Sequence, residues 1–271
     1  MNDTKPSTIS EYRNWLNEKH GVAISRRTEN HYQAVVTKVQ VDFEKSVIWK
    51  RLMASLQRLD HEYLLAQNYH LWTSVPEPVL ETKPFDSFFL KTFRKNVTEN
   101  TRWPEAPEDG WILPSNWHSR INDTVRTLFV VKYLDGVEFA IDKIRSLCAS
   151  QKTRFYSSLE AREEGYYAAH VYITRRFQVP RETWDTQHLD VSIELHITTQ
   201  LQDVIRTLLH KYYEERRAKL VDTSTKWQWN YQGDEFVANY LGHILHYVEG
   251  MIMDVRKRQE AGAAPSGRAQ R

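Results

Sequence analysis

The stretch HLDVSIELHITT, residues 188–199, alternates without a break: Val191, Ile193, Leu195 and Ile197 fall on one face, and Asp190, Ser192, Glu194, His196 and Thr198 on the other. A period of two over this length is a β-strand with one buried side. An apolar back under a face of carboxylate, imidazole and hydroxyl groups reads as the floor of a polar cleft; a solvent-facing strand is the plainer alternative. Upstream, Tyr166 to Phe177 shows the same period, Leu128 to Val131 is a compact β-branched run, and Arg154, Phe155 and Tyr156 suggest a further short strand. Asp135 is placed to cap a helix carrying Phe139, Ile144 and Leu147. Strands alternating with helix in this order predict an α/β domain.

Outside this segment the period changes to three and four. Tyr12, Trp15 and Leu16, then Val35, Val36, Val39, Phe43, Val47, Ile48 and Leu52, predict helices over the first seventy or so residues, with Thr8 and Glu11 as a capping box. The pattern runs on through Leu56, Leu59, Tyr63 and Leu64 without Gly or Pro, as one long helix or two nearly coaxial ones. Residues 74–116 are punctuated by Pro76, Pro78, Pro84, Pro104, Pro107 and Pro114, with one basic helical run from Asp86 to Asn100. After the strands, Leu201, Val204, Ile205, Leu208 and Leu209 are expected to pack inward, and Glu214 to Arg217 form a solvated charge run. A last helix carries a wide apolar stripe from Phe236 to Val255, expected to dock on the domain or on a partner. The expected division is a helical extension over 1–73, a core over 74–220, a second helical extension over 221–257 and a disordered tail over 258–271.

Composition narrows the class. Of the 271 residues 41% are hydrophobic and 12% aromatic, with 9 Gly and 9 Pro, enough for an ordinary core and against collagen-like or low-complexity chains. The single cysteine, Cys148, has no internal disulfide partner and leaves no cysteine-based zinc cage. The opening MNDTKPSTIS lacks the apolar run of a signal peptide, so the cytoplasm is the expected compartment. With 37 Lys+Arg against 35 Asp+Glu the formal charge is +2, and an anionic partner has to be met by local clusters rather than bulk charge.

Three such constellations stand out. Lys83, Ser87 and Lys91, followed by Arg94 and Lys95, have the four-residue spacing of one helix face, which suits polyphosphate; a solvated basic face is the alternative. Asp123 precedes the strand at Leu128, and Glu194 lies on the polar face of the later one; two carboxylates from different strands suit a magnesium-dependent phosphoryl-transfer site, or else are a cap and an exposed strand acid. Arg162, Gly165, Tyr166 and His170 combine close backbone approach with a flat ring for base stacking, while His170 and His196 equally suit structural roles. His243 and His246 are read as packing residues.

Taken in order, these blocks, Lys83-x-x-x-Ser87-x-x-x-Lys91, Asp123 before an apolar strand, Arg162-x-x-Gly165-Tyr166-x-x-x-His170, and Glu194-Leu195-His196-Ile197-Thr198-Thr199, resemble the synthetase domain of RelA/SpoT-type alarmone synthetases over roughly residues 80–215. The resemblance implies a nucleotidyltransferase-like mixed sheet flanked by helices, and transfer of pyrophosphate from ATP to the 3′-hydroxyl of a guanosine nucleotide with release of AMP. It implies Lys83, Ser87, Lys91 and Arg94 as ATP contacts, Asp123 and Glu194 as catalytic residues holding Mg2+, and Arg162, Gly165, Tyr166, His170 and His196 at the acceptor.

The sequence also departs from the family. Glu81 stands where an arginine is usual, leaving Arg94 or Arg102 to stack on adenine; the basic group of the first strand stands at Arg126 instead of Leu128; His196 and Thr198 replace an amide and a guanidinium. These changes bear on acceptor recognition, so a toxin-like enzyme modifying the tRNA 3′ end or adenosine nucleotides, and an inactive nucleotide-sensing module, are the alternatives. Trp103, Trp111 and Trp117 predict either a lid or a satellite hydrophobic cluster. An antitoxin or a second copy is the expected partner of the terminal helices, and no membrane is expected.

Overall fold

Three helices open the chain, α1 (Ile9–His20), α2 (Arg26–Glu44) and α3 (Val47–Gln67), in a computed structural model that describes residues 4–183, 185–208 and 227–263. Each starts at a hydroxyl N-cap, Thr8, Ser25 or Ser46, whose oxygen accepts an otherwise orphaned backbone N–H. Only half of the expected box at Thr8 closes. The Thr8 hydroxyl accepts from Glu11 N at 3.2 Å, but the Glu11 carboxylate reaches past it to Ser7, whose N and Oγ donate at 2.7 and 2.9 Å.

The apolar pattern from Val35 to Leu64 belongs to two helices. Ser46 leaves helical space, its N and Oγ donate to the Phe43 carbonyl at 2.9 and 2.6 Å, and its Oγ caps Trp49 N at 3.3 Å. A serine that satisfies both ends can end one helix and start the next without Gly or Pro.

The chain continues through β1 (Glu81–Thr82), α4 (Phe85–Phe93) running into a π-helical turn Arg94–Thr98, the short α5 (Trp117–Arg120), β2 (Val125–Val131), α6 (Leu134–Ser150), β3 (Arg154–Ala161), β4 (Tyr167–Pro180) and β5 (Thr186–Thr199). Helix α7, over 200–208, follows β5 directly, and a 3-10 turn Trp227–Trp229 precedes α8 (Asp234–Ala263). The sheet has the order β1-β2-β5-β4-β3, with β2 and β5 parallel and the other pairs antiparallel. This is a mixed sheet of the nucleotidyltransferase-like kind. Val125, Phe129, Val171, Ile173, Ile193, Leu195 and Ile197 are all buried and join the helical side chains in one core.

Several expectations are corrected. Helix α6 has Tyr133 at its N-cap without a side-chain bond, because the helix starts one residue ahead of Asp135, whose carboxylate, inside the first turn, binds Arg256 at 3.0 and 3.2 Å. Val204 and Leu208 of α7 face outward, while Ile205 is buried. Helix α8 runs through Ala263, past the boundary expected at 257, since Arg258, Gln259, Glu260 and Ala261 all favour helix. Leu209, the charge run 214–217 and the tail from 264 lie outside the described residues.

The tryptophans form neither a lid nor a satellite cluster but part of the core, with Trp117 buried in it and Trp103 and Trp111 packed against it. Trp103 and Trp111 pack on Trp15 of α1 at ring separations of 5.4 and 4.9 Å, and Trp117 packs on Phe88 at 5.1 Å. Buried Asn96 clasps this segment, exchanging hydrogen bonds with Ile112 N and O at 2.9 and 2.8 Å. No helix among the described residues is long and apolar enough to cross a membrane.

Candidate active site

Residues opposite one another in a sheet share a face, so register shows what lies beside Glu194. Its neighbours are Arg126 on β2 and Tyr172 on β4, with Tyr156 on β3 next in line. The adjoining row is Leu128, His196, His170 and Ser158. Glu194 is buried on this face. Its Oε1 lies 2.7 Å from His170 Nδ1 and accepts from the Tyr172 hydroxyl at 3.2 Å. The rings stack, His170 on His196 at 5.1 Å and Tyr156 on Tyr172 at 6.0 Å. Burial first, then the charges of Glu194, Glu160 and Asp123, pushes the Tyr172 phenol well above its ordinary value, so it donates rather than ionises. Burial, with His170, Arg206 and Arg126 adding to it, drives His196 down to about 3 and keeps the imidazole neutral.

The second carboxylate sits in the turn entering β2. Lys83 reaches it from the segment between β1 and α4, not from the helix its spacing suggested, and its backbone is pinned on both sides: Lys83 N donates to Thr124 O at 2.9 Å, and its carbonyl accepts from the Tyr32 hydroxyl at 2.9 Å. Pro84 sets this geometry, because it opens α4 and forces Lys83 out of helical space. Lys91, on α4, arrives from the other side, and both ammonium groups lie 2.9 Å from Asp123 Oδ2. Burial raises the Asp123 carboxyl, but Lys91 and Lys83 outweigh it and hold the group at about 2. Asp123 Oδ1 is buried with no hydrogen-bond partner among the described residues. Ser87 is exposed on α4. Arg94, on the π-helical turn, pairs with Glu99 and is not drawn into the cluster.

The third group is the turn between β3 and β4. Gly165 N donates to Arg162 O at 3.0 Å and Arg162 N to Tyr166 O at 2.9 Å, closing the turn with Gly165 at φ 76°. The Arg162 guanidinium lies 5.2 Å over the Tyr166 ring and bonds Glu160 at 2.6 and 2.9 Å. The Tyr166 hydroxyl is 3.4 Å from His170 Nε2 and 3.3 Å from His196 Nε2, which ties the turn to the Glu194 face.

The close approach that Gly165 permits is that of α8. A Cβ on Gly165 would lie 2.3 Å from Asn239 O, and one on Gly242 would lie 2.2 Å from Gly165 O. His243 Nδ1 and Nε2 lie 2.8 Å from the Tyr167 hydroxyl and from Glu163 O, and His246 stacks on Tyr167 at 3.7 Å, so both histidines pack as expected.

Sequence reasoning missed Tyr172 and Tyr156. The signal for Tyr172 was present: it shares the parity of His170 along β4. Arg126 stands on the site face where its displacement from the usual position suggested. Among the described residues no group of three His, Cys, Asp or Glu side chains could hold a metal ion. Two carboxylates, one with an orphaned buried oxygen, nevertheless suit a hard cation that takes its other oxygens from phosphate and water.

No family model matches the sequence, and no curated protein matches it. Solved structures do. Small alarmone synthetase 1 from Bacillus subtilis bound to its product pppGpp superposes with a TM-score of 0.52 at 14% identity, over 84% of this chain and 98% of that one. A GTP pyrophosphokinase family protein from Streptococcus pneumoniae gives 0.47 at 16% identity, over 93% of this chain and 96% of that one. The Bacillus subtilis synthetase 1 bound to AMPCPP gives 0.43 at 13% identity, over 94% of this chain and 100% of that one. At these identities the likeness is one of architecture: the chain is built on the fold of the small alarmone synthetases.

Proposed function

We propose that the protein is an ATP-dependent pyrophosphotransferase that places pyrophosphate on the ribose 3′-hydroxyl of a guanosine nucleotide and releases AMP. The observation that carries this reading is the convergence of Lys83 and Lys91 on one oxygen of Asp123 while the other is buried and has no partner among the described residues. Two lysines on one carboxylate are a cationic pair ready to turn to a stronger anion, and a polyphosphate supplies it. The synthetase that shares this fold holds pppGpp, which supports a guanosine nucleotide as acceptor.

In the reaction the acceptor 3′-oxygen attacks the β-phosphorus of ATP in line. The bond from that phosphorus to the α,β-bridging oxygen breaks, and AMP leaves with that oxygen. Glu194 takes the hydroxyl proton, held toward the site by His170 and Tyr172. Lys83 and Lys91, with Ser87 between them along the chain, contact the ATP phosphates, and Arg94 joins them on leaving Glu99. Tyr166 is the platform for the acceptor base, with His170 and His196 beneath it, and Arg162 offsets acceptor charge. Asp123 and Glu194 would hold Mg2+, which would supply a Lewis acid to neutralise the negative charge that develops during transfer.

The test is transfer of γ-labelled phosphate from ATP with magnesium, offering GDP, GTP, ATP and deacylated tRNA in parallel. Label in GDP or GTP with matching AMP is expected, and Glu194→Gln should lower the rate at least about 100-fold. Label in a 3′-pyrophosphorylated adenosine nucleotide alone would make the acceptor an adenosine nucleotide, and label in tRNA alone would make it RNA. No Glu194-dependent transfer to any acceptor would leave only the fold in common.

A further inference from the structure

Lys83, Lys91 and Asp123 come from three segments: the stretch before α4, α4 itself and the turn entering β2. Of these, Lys83 has no helix behind it. Helix α4 starts at Phe85, and its first carbonyl acceptor, Pro84 O, receives Phe88 N at 3.0 Å. The Lys83 carbonyl lies one residue outside that ladder, where no helical N–H reaches it. Its one donor among the described residues is the Tyr32 hydroxyl of α2, at 2.9 Å.

Tyr32 is 1% exposed and borders all three segments. Beyond its bond to Lys83, its ring lies 4.4 Å from Phe88 and 5.5 Å from Phe85 on α4, the helix that carries Lys91. It also stacks on His118 of α5 at 5.7 Å, and α5 leads through Ile121 into the turn at Asp123. A phenol at this depth is costly without a partner, so the ring can bury only with an acceptor at its tip, and the Lys83 carbonyl is that acceptor. Helix α2 is itself tied to the sheet. Arg27 donates to Glu182 O at 2.7 Å and His31 Nε2 lies 2.9 Å from Pro180 O, both at the turn between β4 and β5, while Gln40 donates to Leu80 O at 2.8 Å ahead of β1. The helix is a beam between these two places, with Tyr32 projecting from it toward the lysine pair.

We propose that Tyr32 is a positioning residue for pyrophosphate transfer: its hydroxyl fixes the Lys83 carbonyl and so aims the Lys83 ammonium at the donor phosphates. This role rests on the reading of Lys83 and Lys91 as the pair that takes those phosphates. A lysine is a point charge on a long flexible stem, so where its charge sits depends on how its backbone is held. Thr124 holds Lys83 N and Tyr32 holds Lys83 O, leaving the side-chain torsions as its freedom. When the ammonium leaves Asp123 for a phosphate it swings from a fixed root, which keeps the charge within reach of the reacting phosphorus. Helix α2 is then part of the donor site and not only an extension packed on the core.

Tyr32→Phe keeps the ring and removes the donor. Gln40→Leu is the comparison, since it removes a bond of similar length from the same helix to the Leu80 carbonyl, away from the lysine pair. A merely structural bond would cost both variants a similar fall in melting temperature and leave the kinetics of both alone. The readouts are kcat and KM for ATP and for GDP with magnesium, and calorimetric binding of AMPCPP, which reports donor affinity without turnover. Tyr32→Phe should lower kcat/KM for ATP about 10-fold and weaken AMPCPP, with KM for GDP unchanged, while Gln40→Leu behaves as the parent. Lys83→Ala separates the two claims. If it weakens AMPCPP and Tyr32→Phe does not, the role of Tyr32 falls and the reading of the site stands; if it leaves AMPCPP unchanged, the phosphate site falls and the role of Tyr32 with it. An equal rise in KM for GDP, or the same kinetic loss in Gln40→Leu, also overturns the proposal.

Discussion

In α1 to α3 the residues that recur at three and four, among them Tyr12, Leu16, Val35, Val39, Phe43, Leu52, Leu56 and Tyr63, are each no more than 3% exposed. In α8 the same spacing selects Val237, Ile244, Met251 and Val255, all more than half exposed, while Asn239, Glu249 and Arg256 are buried. Both ends of the chain carry stripes that look alike in sequence. The first is held by bulk apolar contact, which needs only volume and dryness. The second is held by particular partners: a carboxylate for Arg256, a hydroxyl for Glu249, a glycine for Gly242. Periodicity tells which side chains share a face; what the rest of the molecule offers decides which way that face turns.

The difference has measurable consequences. Phe43→Ala, which empties a fully buried ring site between helices, should destabilise the fold by about 4 kcal/mol in urea unfolding, the largest single effect expected here. A cost below about 1 kcal/mol would mean that the N-terminal helices fold independently of that core.

Acid should strike the same half of the molecule. His118 of α5 is buried against Tyr32, and burial, with nearby His31, drives it down to about 4. The unfolded chain binds that proton near pH 6.5 and the folded chain only near 4. Stability is therefore flat on this account above about 6.5, falls as pH drops between the two values, and is lost to the extent of roughly 3 kcal/mol below them. His118→Phe should make the fall between pH 6.5 and 4 shallower by that amount, measured by unfolding at a series of pH values.

The clamp on α8 is a charge pair, Arg256 buried and its partner Asp135 partly exposed. Arg256→Met should cost about 2 kcal/mol, less than a fully buried pair because Asp135 can still reach water. The loss should appear as faster hydrogen exchange in α8, with α1 to α3 unchanged. Gly242→Ala should cost about 1.5 kcal/mol, because its methyl group meets the Gly165 carbonyl and α8 has to lift. Its distinguishing mark is a raised KM for the acceptor, through the turn that carries Tyr166. Ile244→Ser should change unfolding of the dilute chain by less than about 0.5 kcal/mol, and a larger loss would mean that the outer stripe is covered within the chain.

Much of the architecture was legible beforehand, and for a local reason. The parity of residues 188–199 defined β5 and its two faces, because side-chain direction along a strand is a property of the backbone alone. The helical spacing of the first seventy residues marked a core face for the same reason, and the order of Lys83, Asp123, Tyr166 and Glu194 along the chain was enough to suggest the chemistry. Tertiary structure decided the rest. Lys83 shares no helix with Lys91, yet both reach Asp123, because β1 pairs with β2 and brings the segment before α4 beside the turn at Asp123. Gly165 looked like room for a ligand and proved to be room for α8, a contact set by a residue far along the chain. Whether a stripe is core or surface is likewise not a local property: it depends on the chemistry of whatever face lies opposite, and only the folded chain brings that face into contact.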